Sequence, residues 1–427
     1  MRNLLNYFNI FCAILTLIAS IYTYDLFGFL AAILLVVIYP LKRCPSAYYV
    51  SFIFGLYYSI RYFSLKILGF DYLFDIENQD LDLGLYFLIA TILYSLVIIS
   101  INYSSVKCNI SYEDKNTKFY GSLGKLSIVF FSISAFSGMY LIGREIESLV
   151  FRVIVRISLF LQYFQPFIFL SRARLLYVVL LSVALIFFGS KAFIFSIITL
   201  YLYYSIIYNV KINYILLLSL LVLLILSIAM FDVMLNYRTS GSFNFNSLGN
   251  VFVQGNIMNS INVLGGKVGQ RFGGLDTILA YGIRDSEFSL SDIFHELIIS
   301  INNFSFYFKI PLPDDFIPSE MRTAFIFRDY IYNDHLGDIR HTDSMFGLSR
   351  FVSVDFGFGG LIFLICLLVP FITFRSGSYQ LDVLFKMYFF CEVLIGGSFS
   401  SLFRLMIELS IIYFLLRLKY IRRWIAS

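Results

Sequence analysis

The chain has 427 residues, of which 59% are hydrophobic, 19% aromatic and only 14% charged, and its mean hydropathy is +0.82. A soluble domain of this length needs far more charge to cover its surface, so the composition excludes the soluble globular class. The net charge of +5 is spread along the chain. It therefore indicates no nucleic-acid partner and fits contact with anionic lipid headgroups. We expect an all-α polytopic membrane protein.

Apolar runs close to the length that crosses a bilayer as a helix recur along the chain, and about twelve membrane spans are predicted. The predicted spans are 4–21, 26–41, 47–60, 83–101, 126–142, 157–170, 175–189, 192–208, 214–234, 356–374, 381–399 and 402–418. The chain is thereby divided into nine spans within 1–234, a large polar loop at 235–355, and three spans with a tail in 356–427.

The distribution of lysine and arginine predicts the orientation, because cytoplasmic connections carry an excess of both. The C-terminal end carries a basic cluster and is assigned to the cytoplasm. The cluster consists of Arg417, Lys419, Arg422 and Arg423. Counting back from it assigns both termini to the cytoplasm. The 235–355 loop is then on the outer face, as is a short loop with Arg61 and Lys66.

The large loop gathers the polar residues that are suited to chemistry. It contains all 3 histidines of the chain: His295, His335 and His341. Within it, 289–301 has apolar residues at helical spacing, which predicts a helix that lies on the membrane surface. Cysteine and histidine spacings typical of metal sites are missing from the sequence, so we expect neither a metal ion nor another cofactor.

Arginine is suited to binding a diphosphate, since its planar guanidinium donates two hydrogen bonds at once and stays charged. Arg238 directly follows the ninth predicted span and Arg350 precedes the tenth, so both are expected at the level of the outer headgroups. Either they bind a substrate diphosphate or they extend to lipid phosphates. The glycine-rich run 265–274 is either a flexible loop or a phosphate site built from backbone amides, Lys267 and Arg271.

A carboxylate or a neutral imidazole can act as a general base, and the 329–343 run mixes both groups with arginine and tyrosine. His341 and His335 are the preferred imidazoles, because neutral histidine accepts a proton near pH 7. Asp343 and Asp355 are the candidate carboxylates, although most acidic residues of the loop are expected to be solvated.

Charged residues within predicted spans need a partner or a polar cavity, because a charge at the bilayer centre costs roughly 2.5–3.5 kcal/mol. Glu392 and Arg404 lie toward the outer halves of the last two spans. They form either a structural ion pair or a wall of the substrate cavity. Asp80 and Asp82 form an acid-x-acid element like that of metal-dependent lipid-linked sugar transferases, but such spacing is common by chance.

Two short motifs, together with the arrangement of spans, resemble one family. The segment 270–276 (QRFGGLD) resembles an Arg-x-x-Gly-x-Asp element early in a large outer loop, and 355–360 (DFGFGG) resembles a Phe-Gly-x-x-Gly entry to the following helix. Together with one large outer loop before the last three of about twelve helices, they make the chain similar to the O-antigen polymerases (Wzy).

The resemblance implies a C-type glycosyltransferase that acts without a metal on undecaprenyl-diphosphate-linked oligosaccharide repeat units. Cations must then stabilise the leaving diphosphate, for which the candidates are Arg271, Arg350, Arg238 and Lys267. A base must take the proton of the acceptor hydroxyl, for which the candidates are His341, Asp343 and Asp355. The family also implies a partner that regulates polysaccharide chain length.

Two other functions remain open at this point. An O-antigen ligase has the same layout and uses arginine and histidine in its loop, which the three histidines of this loop would fit. A lipid-linked oligosaccharide flippase also has about twelve spans, but its polar residues should line the spans instead of an outer loop.

Overall fold

In a computed structural model of the chain, the described residues are 2–38, 45–69, 82–105, 117–136, 149–170, 174–188, 290–304, 310–313 and 399–417, with the single positions 275, 316, 382 and 385. All regular secondary structure in these residues is helical. This agrees with the predicted all-α class. The predicted boundaries near 234 and 355, and the spans 192–208, 214–234 and 356–374, lie outside the described residues, as does nearly all of 381–399.

The described helices begin and end as follows. They are α1 (Arg2–Tyr22), α2 (Leu26–Val37), α3 (Pro45–Phe54), a π-helical turn (Gly55–Ser59), α4 (Ile60–Lys66), α5 (Leu83–Ser105), α6 (Thr117–Phe136), α7 (Leu149–Leu161), a 3-10 segment (Gln162–Leu170), α8 (Arg174–Phe188), α9 (Leu290–Phe304) and α10 (Phe399–Arg417).

Helices are confirmed at every predicted span that the structure describes, but three of them have different limits. The helix predicted at 47–60 continues through the π turn to Lys66, and the helix predicted at 126–142 begins at Thr117 and ends at Phe136. The helix predicted at 157–170 begins at Leu149, because Arg152 and Arg156 interrupt the apolar run without interrupting the helix. It ends at Leu161, and the rest of the predicted span is the 3-10 segment Gln162–Leu170. Hydropathy thus finds apolar windows, whereas helices extend into polar residues at their ends.

One described helix, Lys118–Phe136, is by itself long and apolar enough to cross a bilayer, with a mean hydropathy of 1.4 over its best window. The helices Asn6–Tyr22, Leu26–Val37 and Leu83–Ile99 are apolar but shorter. The total of about twelve spans stays a prediction.

The chain divides into two compact units, one formed by 110–266 with 416–427 and the other by 2–109 with 267–415. In the first unit, α6 packs against α7, α8 and the 3-10 segment. Pro166 lies within that segment, and its missing N–H and fixed φ disfavour an α-helical continuation of α7. A β-carbon at Gly124 of α6 would lie 2.8 Å from the backbone nitrogen of Ile168. Glycine therefore allows α6 to contact the backbone of the 3-10 segment directly.

In the second unit, α1 packs against α2, α3 and α4, and α5 packs against α2 and α3. Buried aromatic rings fill the centre of this group: the ring of Phe54 stacks on Tyr58 at 4.7 Å and on Tyr94 at 4.2 Å between centroids. The Tyr94 hydroxyl donates a hydrogen bond to Ser51 Oγ at 2.6 Å, and Ser51 donates to the carbonyl oxygen of Ala47 at 2.9 Å. The buried phenol is thus satisfied without water.

The turn between α1 and α2 closes without glycine. The Asp25 amide donates to the Ser20 carbonyl at 2.9 Å and the Tyr24 amide to the Ile21 carbonyl at 3.4 Å, which is the Schellman arrangement. Tyr24 has φ +54° and is 97% exposed. Because an L-residue in this left-handed region costs roughly 1 kcal/mol, the hydrogen bonds of the turn must compensate.

We expect Gly124→Ala to destabilise the protein, although alanine usually stabilises a helix interior by about 1 kcal/mol relative to glycine. The new methyl group would overlap the backbone of the 3-10 segment, which cannot move as a side chain can, and overpacking of this kind costs about 1–3 kcal/mol. The measurement is the apparent melting temperature of the purified protein in detergent. Ser122→Ala on the exposed side of α6 is the control and should change it little. An increase for Gly124→Ala would contradict this packing.

Candidate functional site

The side chain of Asp25, which directly follows the turn between α1 and α2, contacts several of the described helices. Its Oδ1 accepts a hydrogen bond from the Gly28 amide at 3.0 Å, so Asp25 is the N-cap of α2. Its Oδ2 accepts a hydrogen bond from the Tyr62 hydroxyl of α4 at 2.5 Å. The carboxylate of Asp25 therefore caps α2 and also forms a hydrogen bond with α4.

Lys66, one turn beyond Tyr62, completes this group, with its Nζ 3.9 Å from Asp25 Oδ2. The side chain of Asp25 is 8% exposed and that of Lys66 is 28% exposed. A carboxylate this far removed from water needs a cation and hydrogen-bond donors, and Asp25 has both. Because two donors and a cation already engage it, Asp25 is suited to holding helices together.

Two glycines allow the helices to approach this carboxylate. A β-carbon at Gly84, in the first turn of α5, would overlap the carboxylate of Asp25, and one at Gly28 would overlap the Tyr62 hydroxyl. The ring of Tyr62 stacks on Phe87 of α5 with 4.6 Å between centroids. The Asp25 cluster (Asp25, Gly28, Tyr62, Lys66 and Gly84) thus joins α2, α4 and α5 at one end of the helix group.

Asp82, the second acid of the acid-x-acid element, is exposed and caps α5 by accepting a hydrogen bond from the Leu85 amide at 3.0 Å. Asp80 lies outside the described residues. Among the described residues, no group of three or more His, Cys, Asp or Glu is arranged to hold a metal ion. Asp82 therefore has a structural role as the N-cap of α5.

The expected position of Arg61 in an outer loop was wrong. It lies within α4, two residues after the π-helical turn, and is only 1% exposed. A helix that continues past residue 60 carries Arg61 into the interior, so this arginine does not act as a solvated topology signal. Buried arginines and π-helical turns both occur often at functional positions. The sequence did not indicate the burial of Arg61, because Arg61 directly follows the apolar window of the third predicted span.

Most of the predicted site residues lie outside the described residues. These are His341, Asp343, Asp355, Arg238, Lys267, Arg271, Arg350 and Glu392. Arg404 is described: it lies on α10, partly buried, one turn before the buried Glu408. The two residues are therefore neighbours on one face of α10. The expected contact between Arg404 and Glu392 stays a prediction.

The described part of the large loop is the buried Leu275, the helix α9 and residues 310–313 and 316 after it. The predicted helix at 289–301 is confirmed and extends over Leu290–Phe304. Its Asn302 side chain holds the backbone of Ile310 at two points: Asn302 Nδ2 donates to the Ile310 carbonyl at 2.9 Å and the Ile310 amide donates to Asn302 Oδ1 at 2.8 Å. These hydrogen bonds hold Ile310 at the C-terminal end of α9.

Phe316, six residues after Ile310, contacts His295 of α9, with 4.8 Å between the ring centroids. Glu296 and Ser300, one turn apart on α9, are fully buried. His335 and His341 were preferred over His295 as bases, yet His295 is the histidine that the described residues include. The helical spacing of Ile293, Glu296 and Ser300 is the sequence signal that could have identified an inward face of this helix.

Comparison of the chain with protein-family models, with curated proteins and with solved structures found no match.

We expect Asp25→Ala to lower the free energy of unfolding by on the order of 2–4 kcal/mol. About 1 kcal/mol comes from the lost N-cap and about 1–3 kcal/mol from the Tyr62 hydroxyl left buried without its acceptor. The matched control is Asp82→Ala, which removes an exposed N-cap alone. Thermal unfolding of the purified variants measures the difference, and equal effects would contradict the role of the Asp25 cluster.

A double-mutant cycle isolates the contact between Asp25 and Tyr62. Tyr62→Phe removes the hydroxyl but keeps the ring on Phe87, so Asp25→Ala in that background should cost clearly less than in the parent chain. Additive effects of the two substitutions would show that the hydrogen bond contributes nothing to stability.

Proposed function

We propose that this chain is a polysaccharide polymerase of the inner membrane. It would join undecaprenyl-diphosphate-linked oligosaccharide repeat units into O-antigen or capsular polysaccharide on the outer face. The observation that carries the proposal is the concentration of polar chemistry in 235–355, whose described part folds into a helix with a buried glutamate and a neighbouring histidine. A linker between membrane helices has no need for such a buried polar face.

The membrane setting is supported by α1, where large apolar side chains are exposed and polar side chains are buried. On α1 an apolar stripe at helical spacing faces outward, whereas Asn9, Thr16 and Ser20 are buried. The exposed stripe of α1 consists of Tyr7, Ile10, Phe11, Ile14, Ile18 and Ile21. A water-soluble helix turns its apolar stripe toward the core, so this inversion favours lipid as the surrounding medium.

Several buried hydroxyl groups fit the same setting, because in lipid a polar group must find a partner within the protein. Ser59, Ser127 and Ser158 differ from them, since their buried Oγ atoms have no hydrogen-bond partner. Thr16, Ser20 and Thr91 donate to the carbonyl oxygen four residues earlier in their own helices, at 2.7–2.9 Å. This internal pairing lets the helices carry serine and threonine without water.

The orientation completes the proposal: both termini would be cytoplasmic and 235–355 periplasmic. Asp25, Lys66 and Asp82 would then lie at the periplasmic ends of their helices. The Asp25 cluster would hold those ends together on the face where the loop acts.

In the proposed reaction, an acceptor hydroxyl oxygen on the new repeat unit bonds to the anomeric carbon of the growing glycan. The bond from that carbon to the diphosphate oxygen breaks, and the diphosphate leaves with the electron pair. Arg271, Arg350, Arg238 and Lys267 would stabilise the charge that develops on the diphosphate. His341, Asp343 or Asp355 would take the hydroxyl proton, and Glu392 and Arg404 would line the cavity. A chain-length regulator is a further proposed partner.

Deletion of the gene, with the surface glycan separated on a denaturing gel, tests the proposal. A polymerase predicts that the ladder collapses to the lipid core carrying one repeat unit, because export and ligation still operate. Loss of every repeat from the core, with long polymer retained on its carrier, would indicate a ligase. Single repeat units trapped on the inner face would indicate a flippase.

We expect Arg271→Ala to shorten the polymer strongly, since removing one positioned donor from a developing anion costs roughly 10²–10³-fold in rate. Arg271→Lys should recover only part of the activity, because an ammonium cannot donate the paired hydrogen bonds of a guanidinium. The control is Arg284→Ala in the same loop, with equal protein levels verified by immunoblotting. Full-length polymer from the Arg271→Ala variant would show that this arginine takes no part in the reaction.

A further inference from the structure

The helix α9 exposes two large apolar side chains and buries two polar ones, although Ile293 and Ile298 are also buried and Ser291 is exposed. Phe294 is 61% exposed and Ile301 is 40% exposed, and seven residues apart they lie on one face of the helix. Glu296 and Ser300 are fully buried on another face. A helix on the surface of a water-exposed loop is not expected to expose Phe294 and Ile301 while it buries Glu296.

Backbone polar groups near the end of α9 also have hydrogen-bond partners within the protein. The Asn302 side chain satisfies both the N–H and the C=O of Ile310. Pro311 and Pro313, which are exposed, carry no N–H, and the Phe316 amide donates to the Pro313 carbonyl at 3.1 Å. Backbone groups must be satisfied in this way where lipid replaces water, because an unsatisfied group there costs several kcal/mol.

The length of α9 limits how it can lie in a bilayer. Its 15 residues extend about 22 Å at 1.5 Å per residue, and a hydrocarbon core of about 30 Å needs close to 20 residues. The helix is therefore too short to cross the bilayer, whereas its exposed apolar face suits contact with one leaflet.

From these observations we propose that α9 is embedded in the outer leaflet, with Phe294, Leu297 and Ile301 in contact with the acyl chains of bilayer lipids. Leu297 lies between the other two on the same face and is partly buried. Glu296 and Ser300 face the protein. The inference rests on the membrane setting of the proposed function and extends it, because the loop is then a membrane-embedded element and not an aqueous domain.

This arrangement has a consequence for the proposed substrate. A loop held in the outer leaflet lies at the depth where the diphosphate of a polyprenyl carrier emerges from the hydrocarbon. His295, next to Phe294 on α9 and in contact with Phe316, is then near the headgroup level. The loop does not have to draw the carrier out of the membrane.

Tryptophan fluorescence tests the proposal, since the chain has a single tryptophan, Trp424. In a Trp424→Phe background, Phe294→Trp and Ile301→Trp each report one position on the apolar face of α9. The full chain is reconstituted in phosphatidylcholine vesicles without polyprenyl carrier, and quenching by acyl-chain-brominated phosphatidylcholine and by aqueous acrylamide is measured. If Trp424→Phe lowers the yield, Trp424 is kept and the parent signal is subtracted.

Two positions calibrate the result. Phe11→Trp on the exposed stripe of α1 is the reference for hydrocarbon, and Tyr24→Trp in the exposed turn is the reference for the interface. We expect both α9 positions to be quenched by brominated lipid to the same degree as Phe11→Trp and to be protected from acrylamide relative to Tyr24→Trp.

Three outcomes would overturn the inference. Acrylamide quenching without lipid quenching means that α9 faces water. Protection from both quenchers means that protein, such as a second copy of the chain, covers the face. Lipid quenching lost on addition of polyprenyl phosphate means that the carrier chain is its preferred occupant. If Phe11→Trp is quenched and the α9 positions are not, only this inference fails, whereas an unquenched Phe11→Trp overturns the membrane setting as well.

Discussion

The carboxylate of Asp25 is the interaction on which the described helices of the second unit most depend. It caps α2 through the Gly28 amide, accepts the Tyr62 hydroxyl from α4 and lies 3.9 Å from the Lys66 ammonium. Gly84 brings α5 against the same carboxylate, because any larger residue would overlap it. One buried charge can hold three helices only if its donors and cation are all present, since a buried carboxylate without them is strongly unfavourable.

The same constraint is met at several buried polar groups among the described residues. The Tyr94 hydroxyl is satisfied by Ser51, Ser20 and other buried hydroxyl groups donate to their own helix, and Asn302 satisfies both backbone groups of Ile310. Each solution uses a partner within the protein in place of water. Together with apolar outward faces, this pattern is what a chain surrounded by lipid requires. It is the strongest physical support for the proposed membrane setting.

The proposed polymerase depends on two regions with different tasks. The helix group would position a periplasmic face, with the Asp25 cluster holding its ends, and the loop 235–355 would supply cations and a base for glycosyl transfer. If α9 is embedded in the leaflet, the loop and the lipid carrier meet at one depth without movement of the diphosphate into water. Because catalysis gains most from groups held before the reaction starts, such an arrangement suits a transfer between two lipid-linked substrates.

Composition and apolar periodicity determined the helical class and the approximate position of most described helices, because both depend on consecutive residues alone. They also identified α9 from its spacing. The tertiary structure decided what depends on residues far apart in sequence: the contact of Tyr62 with Asp25, the burial of Arg61, and the turning of Glu296 inward while Phe294 faces out. The hydropathy pattern placed the end of the third predicted helix before Arg61, because a charged residue is expected to be exposed. Only packing against other helices provides the partners that let a charged residue remain inside.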